Sequence, residues 1–183
     1  DEVKKIIPKL LDRKDIYSDC HLHTKWSSDA VDSFDDMALT AKNRGHKVIG
    51  FTDHTESNYG WDPLKIPERK READDAAEKH GIKIYAGCEV GIDQEGNLDW
   101  PDSNLDQMDY VIASIHRAHG KFTVERLVSA VKKHKKIKII GHPTGLMYGR
   151  REIPDGDWNS LYKFCAENKI YLEINGARCD LPV

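Results

Sequence analysis

Five of the nine histidines lie at the carboxyl ends of predicted strands or just beyond them. They are His21, His23, His54, His116 and His142, and Glu89 holds the same position on the third predicted strand. Because the loops that follow parallel strands converge at one rim of an α/β barrel, we expect these six side chains to meet there. Imidazole nitrogens suit Zn, Mn and Fe ions, and a carboxylate can bridge two ions. The pattern predicts a metal centre at this rim.

Each motif taken singly also has a purely structural interpretation. His21 and His23, two residues apart, lie on one side of an extended segment, where they either bind one cation or simply end a polar strand. His54 and His142 are, one at a time, more typical of hydrogen-bonded structural histidines, and Asp29 is typical of a turn. Unrelated structural roles would not place such residues at successive strand ends, which favours one shared site.

Short apolar runs alternate with amphipathic stretches along the chain. Strands are predicted at 16–20, 47–52, 82–90, 110–114, 138–141 and 170–174, and helices at 34–44, 67–80, 122–134 and 157–168. Ser33 and Gly45 bound the first helix, and Pro67 and Gly81 bound the second. This alternation is typical of βα units around a parallel sheet, either barrel-like or doubly wound.

The composition is that of one globular domain and excludes several classes of protein. The 183 residues are 39% hydrophobic and 32% charged, and no apolar run approaches the roughly 20 residues that cross a bilayer. Four cysteines without a CxxC pair are too sparse for a disulfide scaffold and indicate reduced thiols in a cytoplasmic protein. A net charge of −3 argues against a purely electrostatic nucleic-acid binder. The basic run 132–136 is typical of a solvated helix end, with a nucleic-acid contact as the alternative.

Five motifs in order resemble those of the PHP (polymerase and histidinol phosphatase) superfamily. They are Asp19-Cys20-His21-Leu22-His23-Thr24 with Trp26-Ser27-Ser28-Asp29, then Phe51-Thr52-Asp53-His54, Gly87-Cys88-Glu89-Val90, Ala113-Ser114-Ile115-His116 and Gly141-His142-Pro143-Thr144-Gly145. Their order and spacing match from about residue 16 to the end of the chain. Within the superfamily, the stretches 96–102, 149–152 and 172–175 point to the PHP domain of bacterial and archaeal family X DNA polymerases.

The resemblance implies an α/β fold, a distorted (β/α)7 TIM-like barrel with two to three divalent metal ions (Zn, Mn or Fe). It implies ligands as follows: His21, His23 and Glu89 for a first ion, Glu89 and His116 for a second, and Asp29, His54 and His142 for a third. Of these residues, Glu89, His116 and His142 are the expected catalytic residues.

The resemblance also implies an activity, the hydrolysis of phosphate esters by a water that the metal ions activate. The reaction is either 3′–5′ exonuclease or related 3′-end processing of DNA, or phosphatase action on small phosphomonoesters. Arg150 and Arg151, after the fifth strand, and Arg117, beside His116, are candidate clamps for a phosphate, with a solvated surface arginine as the alternative. The expected partners are a phosphorylated substrate, with DNA 3′ ends as one class, and an upstream polymerase domain, but no membrane.

One family motif, an Asp-x-His on the last barrel strand, does not occur in this chain. After Glu173 come only Asp180 and no histidine. We therefore expect a barrel that lacks its last strand, partial metal sites and a C-terminally incomplete domain over 16–183, after a lead-in or linker over 1–15. Two other functions stay open: a non-catalytic PHP module that supports a DNA polymerase, and a metal hydrolase of another bond, such as an amide.

Overall fold

A computed structural model describes residues 12–55, 60–116, 123–145, 153 and 155–176. Residues 1–11 of the lead-in or linker expected over 1–15 lie outside the described residues. None of the described helices combines the length and the apolarity needed to cross a bilayer.

The described residues form seven strands and five α-helices that alternate along most of the chain. In chain order they are β1 (Ser18–Leu22), α1 (Phe34–Asn43), β2 (Val48–Phe51), α2 (Ile66–His80), β3 (Lys83–Ala86), β4 (Cys88–Gly91), α3 (Asp102–Leu105), β5 (Val111–Ser114), α4 (Val124–Lys133), β6 (Ile137–Ile140), α5 (Trp158–Asn168) and β7 (Tyr171–Leu172). The helices and strands predicted from residue 16 onward are all present, with outer ends that differ by no more than two residues.

The strands form two parallel sheets, with the orders β1-β2-β3 and β4-β5-β6-β7. The α/β fold with parallel strands is thus confirmed. The single strand expected over 82–90 is divided at Gly87, because its first half pairs with β2 and its second half with β5. Backbone bonds from Gly87 N to Phe51 O (2.9 Å) and from Glu89 N to Asp53 O (3.2 Å) join the two sheets. The second sheet therefore continues the first through these backbone hydrogen bonds.

The helix ends follow the local chemistry that the sequence displays. Ser33 caps α1, with its side chain accepting a bond from Asp36 N while the Asp36 side chain accepts from the Ser33 backbone. Pro67 lies in the first turn of α2, where a missing N–H costs nothing, and Gly81 ends that helix at a φ of 62°.

Each sheet has its own hydrophobic core against its own helices. Phe34 on α1 and Ala73 on α2 pack on Ile49 and Phe51 of β2. A second, larger cluster joins β4, β5 and β6 to α4 and α5, with Leu127 and other side chains completely buried. The helices thus cover the outer faces, which leaves the inner face and the carboxyl ends of the strands for a site.

Tyr110 fills the inner face beside β2, where only glycine fits. Its hydroxyl donates a 2.6 Å hydrogen bond to Cys20 O, and a Cβ atom on Gly50 would lie 2.0 Å from that hydroxyl oxygen. We expect Gly50→Ala to lower the free energy of unfolding by about 1–3 kcal/mol, the usual cost of overpacking. Urea denaturation of Gly50→Ala, Tyr110→Phe and the double variant tests this, since Phe removes the closest clashing atom and leaves the ring carbon Cζ at 2.9 Å. A double variant less stable than Gly50→Ala alone contradicts the expectation.

Candidate metal centre

The strand order brings the six predicted side chains to one rim. His21 lies in β1 and His23 directly after it, Glu89 lies in β4, and the other three follow β2, β5 and β6: His54, His116 and His142. β1 extends to Leu22 rather than ending at Cys20, so His21 is a strand residue. Side chains alternate along a strand, so His21 and His23 face the same side. The parallel strands place all these positions at the same edge.

Glu89 is the centre of this cluster. Its side chain is 1% exposed, and five imidazoles surround its two oxygens. Oε2 lies 3.3 Å from His21 Nε2, 3.3 Å from His23 Nε2 and 3.1 Å from His54 Nδ1, whereas Oε1 lies 3.3 Å from His116 Nε2 and 2.8 Å from His142 Nε2. A buried carboxylate with this many nitrogen neighbours is an arrangement that can hold cations.

Two groups of three donors share Glu89, and in each the donor atoms lie within 4.8 Å of one another. One group is His21, Glu89 and His142, and the other is His23, His54 and Glu89. The resemblance implied that His142 belongs with Asp29 and His54, and this assignment stays a prediction; in the structure the His142 donor atom lies within 4.8 Å of those of His21 and Glu89. Asp29 lies on the other side, with Oδ2 at 2.8 Å from His23 Nδ1 and 3.5 Å from His54 Nε2.

The charges of the cluster are strongly coupled. Burial disfavours protonation of His21, but the charge of Glu89 and hydrogen bonds to Glu173 and Glu89 outweigh it and raise the pKa of His21 to about 10. For Glu89, burial is likewise outweighed, by the His21 charge and by hydrogen bonds from His116 and His142, and its pKa lies well below the usual range. Burial dominates at His54, whose pKa is lowered. Without metal, the proton held on His21 offsets the Glu89 charge.

This coupling predicts a pH dependence of stability in the metal-free protein. The pKa of folded His21, about 10, lies above its ordinary value of 6.5, so the folded state holds the proton more tightly than the unfolded state. The resulting stabilisation is complete below pH 6.5 and is lost as the pH rises toward 10. We expect the free energy of unfolding of the EDTA-treated protein to fall across this range, as followed by urea denaturation. A His21→Gln variant should show a flatter profile, and an equal slope in both proteins would contradict the assignment.

Two carboxylates that sequence reasoning passed over lie beside the cluster, and one of them contacts its imidazoles. Glu173, the residue after β7, has Oε1 at 2.8 Å from His21 Nδ1. Asp53, next to His54, is fully buried and contacts the loop after β1 instead of the imidazoles. Glu173 occupies the same strand-end position as the histidines, and that signal was available in the sequence. Nothing in the sequence indicated the direction of the Asp53 side chain.

The predicted phosphate clamps fall outside the described residues: these are Arg117, Arg150 and Arg151. The basic run 132–136 is described, and it directly precedes β6. It therefore lies at the amino end of that strand, whereas His142 follows the carboxyl end. Lys133 and Lys136 donate hydrogen bonds to nearby backbone oxygens of Glu95 and Asp106. The run is on the opposite edge from the cluster.

A family model described as the PHP domain matches residues 19–177. The chain belongs to the PHP family. It is 32% identical over 182 residues to the DNA polymerase/3′-5′ exonuclease PolX of Bacillus subtilis, covering 94% of this chain and 32% of that protein. It is 35% identical over 170 residues to a probable phosphatase of Caldicellulosiruptor saccharolyticus, covering 86% of this chain and 64% of that protein. The chain thus spans about a third of the first relative and just under two thirds of the second.

A solved PHP-type structure shares the fold. It is the histidinol phosphate phosphatase of Lactococcus lactis, described as complexed with zinc, L-histidinol and phosphate. The TM-score is 0.57 at 22% sequence identity, over 86% of this chain and 72% of that one. At this identity the likeness concerns the fold.

Proposed function

We propose that this PHP domain hydrolyses phosphate esters with divalent metal ions held around Glu89. The observation that carries the proposal is that the buried Glu89 carboxylate belongs to both three-donor groups. The family membership and the relatives named probable phosphatases support a hydrolase.

The residues fit such ions by their chemistry. Among the described residues, the buried His23 Nε2 makes no hydrogen bond, although it lies 3.3 Å from Glu89 Oε2. His21, His142 and Glu89 would hold one ion, and His23, His54 and Glu89 another; Asp29 and His116 lie beside these groups and would complete them or serve a third. Imidazole and carboxylate donors are those that Zn²⁺, Mn²⁺ and Fe²⁺ accept in proteins.

The chain contributes position and charge to the reaction. When bound, divalent ions lower the pKa of water toward 7 and offset the charge on phosphoryl oxygens. Glu89 fixes the two donor groups side by side and supplies the negative charge that two cations need in a buried place. His116 and His142 hold its Oε1, on the side away from Asp29. A cavity of about 270 Å³ lined by the cluster and Asn175 leaves room for a phosphoryl group.

Small phosphomonoesters are the substrate class that the described surface favours. The net charge is −3, and the basic run lies on the edge opposite the cluster, so no described basic stripe leads nucleic acid to the rim. DNA 3′ ends are the second candidate, because the polymerase/exonuclease relative matches 94% of this chain.

Metal reconstitution followed by parallel assays tests the function. The EDTA-treated protein would be reloaded with Zn²⁺, Mn²⁺ or Fe²⁺ and assayed on p-nitrophenyl phosphate, bis(p-nitrophenyl) phosphate, 3′-labelled single-stranded DNA and a p-nitroanilide. We expect monoester hydrolysis that requires metal. Faster cleavage of the DNA 3′ end would favour exonuclease action, and anilide cleavage alone would favour an amide hydrolase. Substoichiometric metal with no hydrolysis of any substrate would favour the non-catalytic module.

We also propose that the two sheets curve into one incomplete barrel within a domain over 16–183. β1 and β7 are the outer strands of the described sheets, yet His21 and Glu173 contact each other across them at 2.8 Å. A cleft of about 690 Å³ is lined by residues of both strands. Free thiols at Cys20, Cys88 and Cys165 suit the reducing cytoplasm.

The proposal that a polymerase domain is attached to this one is supported only by the likeness to the PolX relative.

A further inference from the structure

We propose that two carboxylates outside the ligand set, the partly buried Glu173 and the fully buried Asp53, position the two halves of the metal centre separately. Glu173 positions the half formed by His21 and His142, and Asp53 positions the half formed by His23 and His54. The inference rests on the proposed metal centre and adds residues that act through its ligands.

Glu173 contacts both histidines of the first half. Its Oε1 lies 2.8 Å from His21 Nδ1, and its Oε2 accepts a 2.6 Å hydrogen bond from the His142 backbone N–H. Asn175 Nδ2 donates to Oε1 at 3.1 Å, which fixes the carboxylate itself. With Nδ1–H of His21 donated to Glu173, the Nε2 lone pair is left to face Glu89 and an ion.

The backbone of His142 also requires a restraint. Its φ is 25°, a conformation that non-glycine residues rarely adopt. The hydrogen bond from its N–H to Glu173 holds this conformation and so directs the imidazole toward Glu89, where Nε2 lies 2.8 Å from Oε1. One carboxylate therefore sets the orientation of one imidazole directly and of another through its backbone.

Asp53 ties the second half together through the loop after β1. Its side chain is completely buried, and Oδ1 accepts hydrogen bonds from Thr24 N (2.6 Å), Thr24 Oγ1 (3.0 Å) and Ser27 Oγ (3.3 Å). Ser27 Oγ in turn accepts a 2.8 Å bond from the His54 backbone N–H. Because Thr24 directly follows His23, the same carboxylate fixes the backbone at both histidines.

Arg69 on α2 holds Asp53 in place. Its Nε and Nη2 donate to Asp53 Oδ2 at 3.0 and 2.7 Å, and Nη2 also donates to Phe51 O at 3.2 Å. The side chain is 2% exposed, with its guanidinium 5.3 Å from the Phe34 ring centroid and 5.0 Å from that of Trp61. Both guanidinium donors converge on Oδ2, which leaves Oδ1 to accept the hydrogen bonds from the loop after β1.

The contacts named for the two carboxylates have no residue in common. The two halves share Glu89, and the His21 and His23 ring centroids lie 5.3 Å apart. Weakening one set of contacts should therefore loosen one half of the centre and leave the other half intact. A general loss of folding would affect both halves alike.

Titration of the metal-free full chain with Co²⁺, by calorimetry and by visible absorption, tests the separation. Ser27→Ala removes the link from Asp53 to His54 while keeping the buried Asp53–Arg69 pair, and Glu173→Gln removes the charge beside His21. His54→Gln and His21→Gln assign the two binding steps, since each removes a ligand of one half. Ser28→Ala and Glu167→Gln, at exposed positions, are the matched controls, and circular dichroism checks folding.

We expect Ser27→Ala to weaken Co²⁺ binding at the His54 step by about 10–100-fold, the usual cost of losing an orienting contact. We expect Glu173→Gln to weaken the His21 step by a similar factor, with the other step unchanged in each variant. Equal weakening of both steps by either variant, or no change at either step, overturns the separate positioning. Wild-type protein that binds no Co²⁺ overturns the proposed function itself, which the variants alone would not do.

Discussion

Glu89→Gln is expected to lower phosphate-ester hydrolysis at least about 100-fold and to prevent the binding of two ions. The loss of an orienting contact near a metal already costs about 10–100-fold, and Glu89 belongs to both donor groups. Gln has nearly the same shape but no charge, so it cannot balance two cations in a site that is 1% exposed. Metal content and kcat/KM on p-nitrophenyl phosphate are the measurements.

The control for this variant is Glu78→Gln, at an exposed position of α2. It makes the same chemical change away from the cluster, and we expect wild-type metal content and activity. The metal-free Glu89→Gln protein also lacks the charge that raises the pKa of His21, so its stability should depend less on pH. Wild-type hydrolysis by Glu89→Gln would exclude the proposed site.

Arg69→Met is expected to lower the free energy of unfolding by about 3–5 kcal/mol, the usual cost of leaving a buried charge without its partner. Asp53 is 0% exposed and receives two hydrogen bonds from the guanidinium. Met fills a similar volume beside Phe34 and Trp61, so the loss measures the ion pair more than the packing. Urea denaturation with the metal present and absent gives the value.

Two comparisons separate the ion pair from other effects. Lys70→Met, one residue along on the exposed face of α2, should change stability by less than about 0.5 kcal/mol. Adding Asp53→Asn to Arg69→Met removes the unpaired charge and should recover part of the loss, because the penalty lies in burying one charge alone. If the double variant is no more stable than Arg69→Met, the buried charge is not the cause.

Local chemistry made the helices and most strands predictable. Ser33, Pro67 and Gly81 act on backbone groups within a few positions of themselves, and the structure places helix ends there. The strand-end histidines could also be placed at one rim, because parallel pairing alone brings the carboxyl ends of strands together. For the helix ends the cause lies within a short stretch of chain, and for the rim it lies in the strand-helix alternation that the sequence displays.

The arrangement of those residues with respect to one another depends on contacts between distant parts of the chain. The bond between His21 and Glu173 joins positions 152 residues apart, and no periodicity reports such a pair. Gly87 divides one predicted strand because two different neighbours pair with its halves. The grouping of His142 with His21 and the burial of Asp53 against Arg69 also depend on contacts between separate parts of the chain. The sequence by itself determined which side chains reach the rim, whereas only the tertiary structure decided their partners, because those partners come from packing one strand and helix against another.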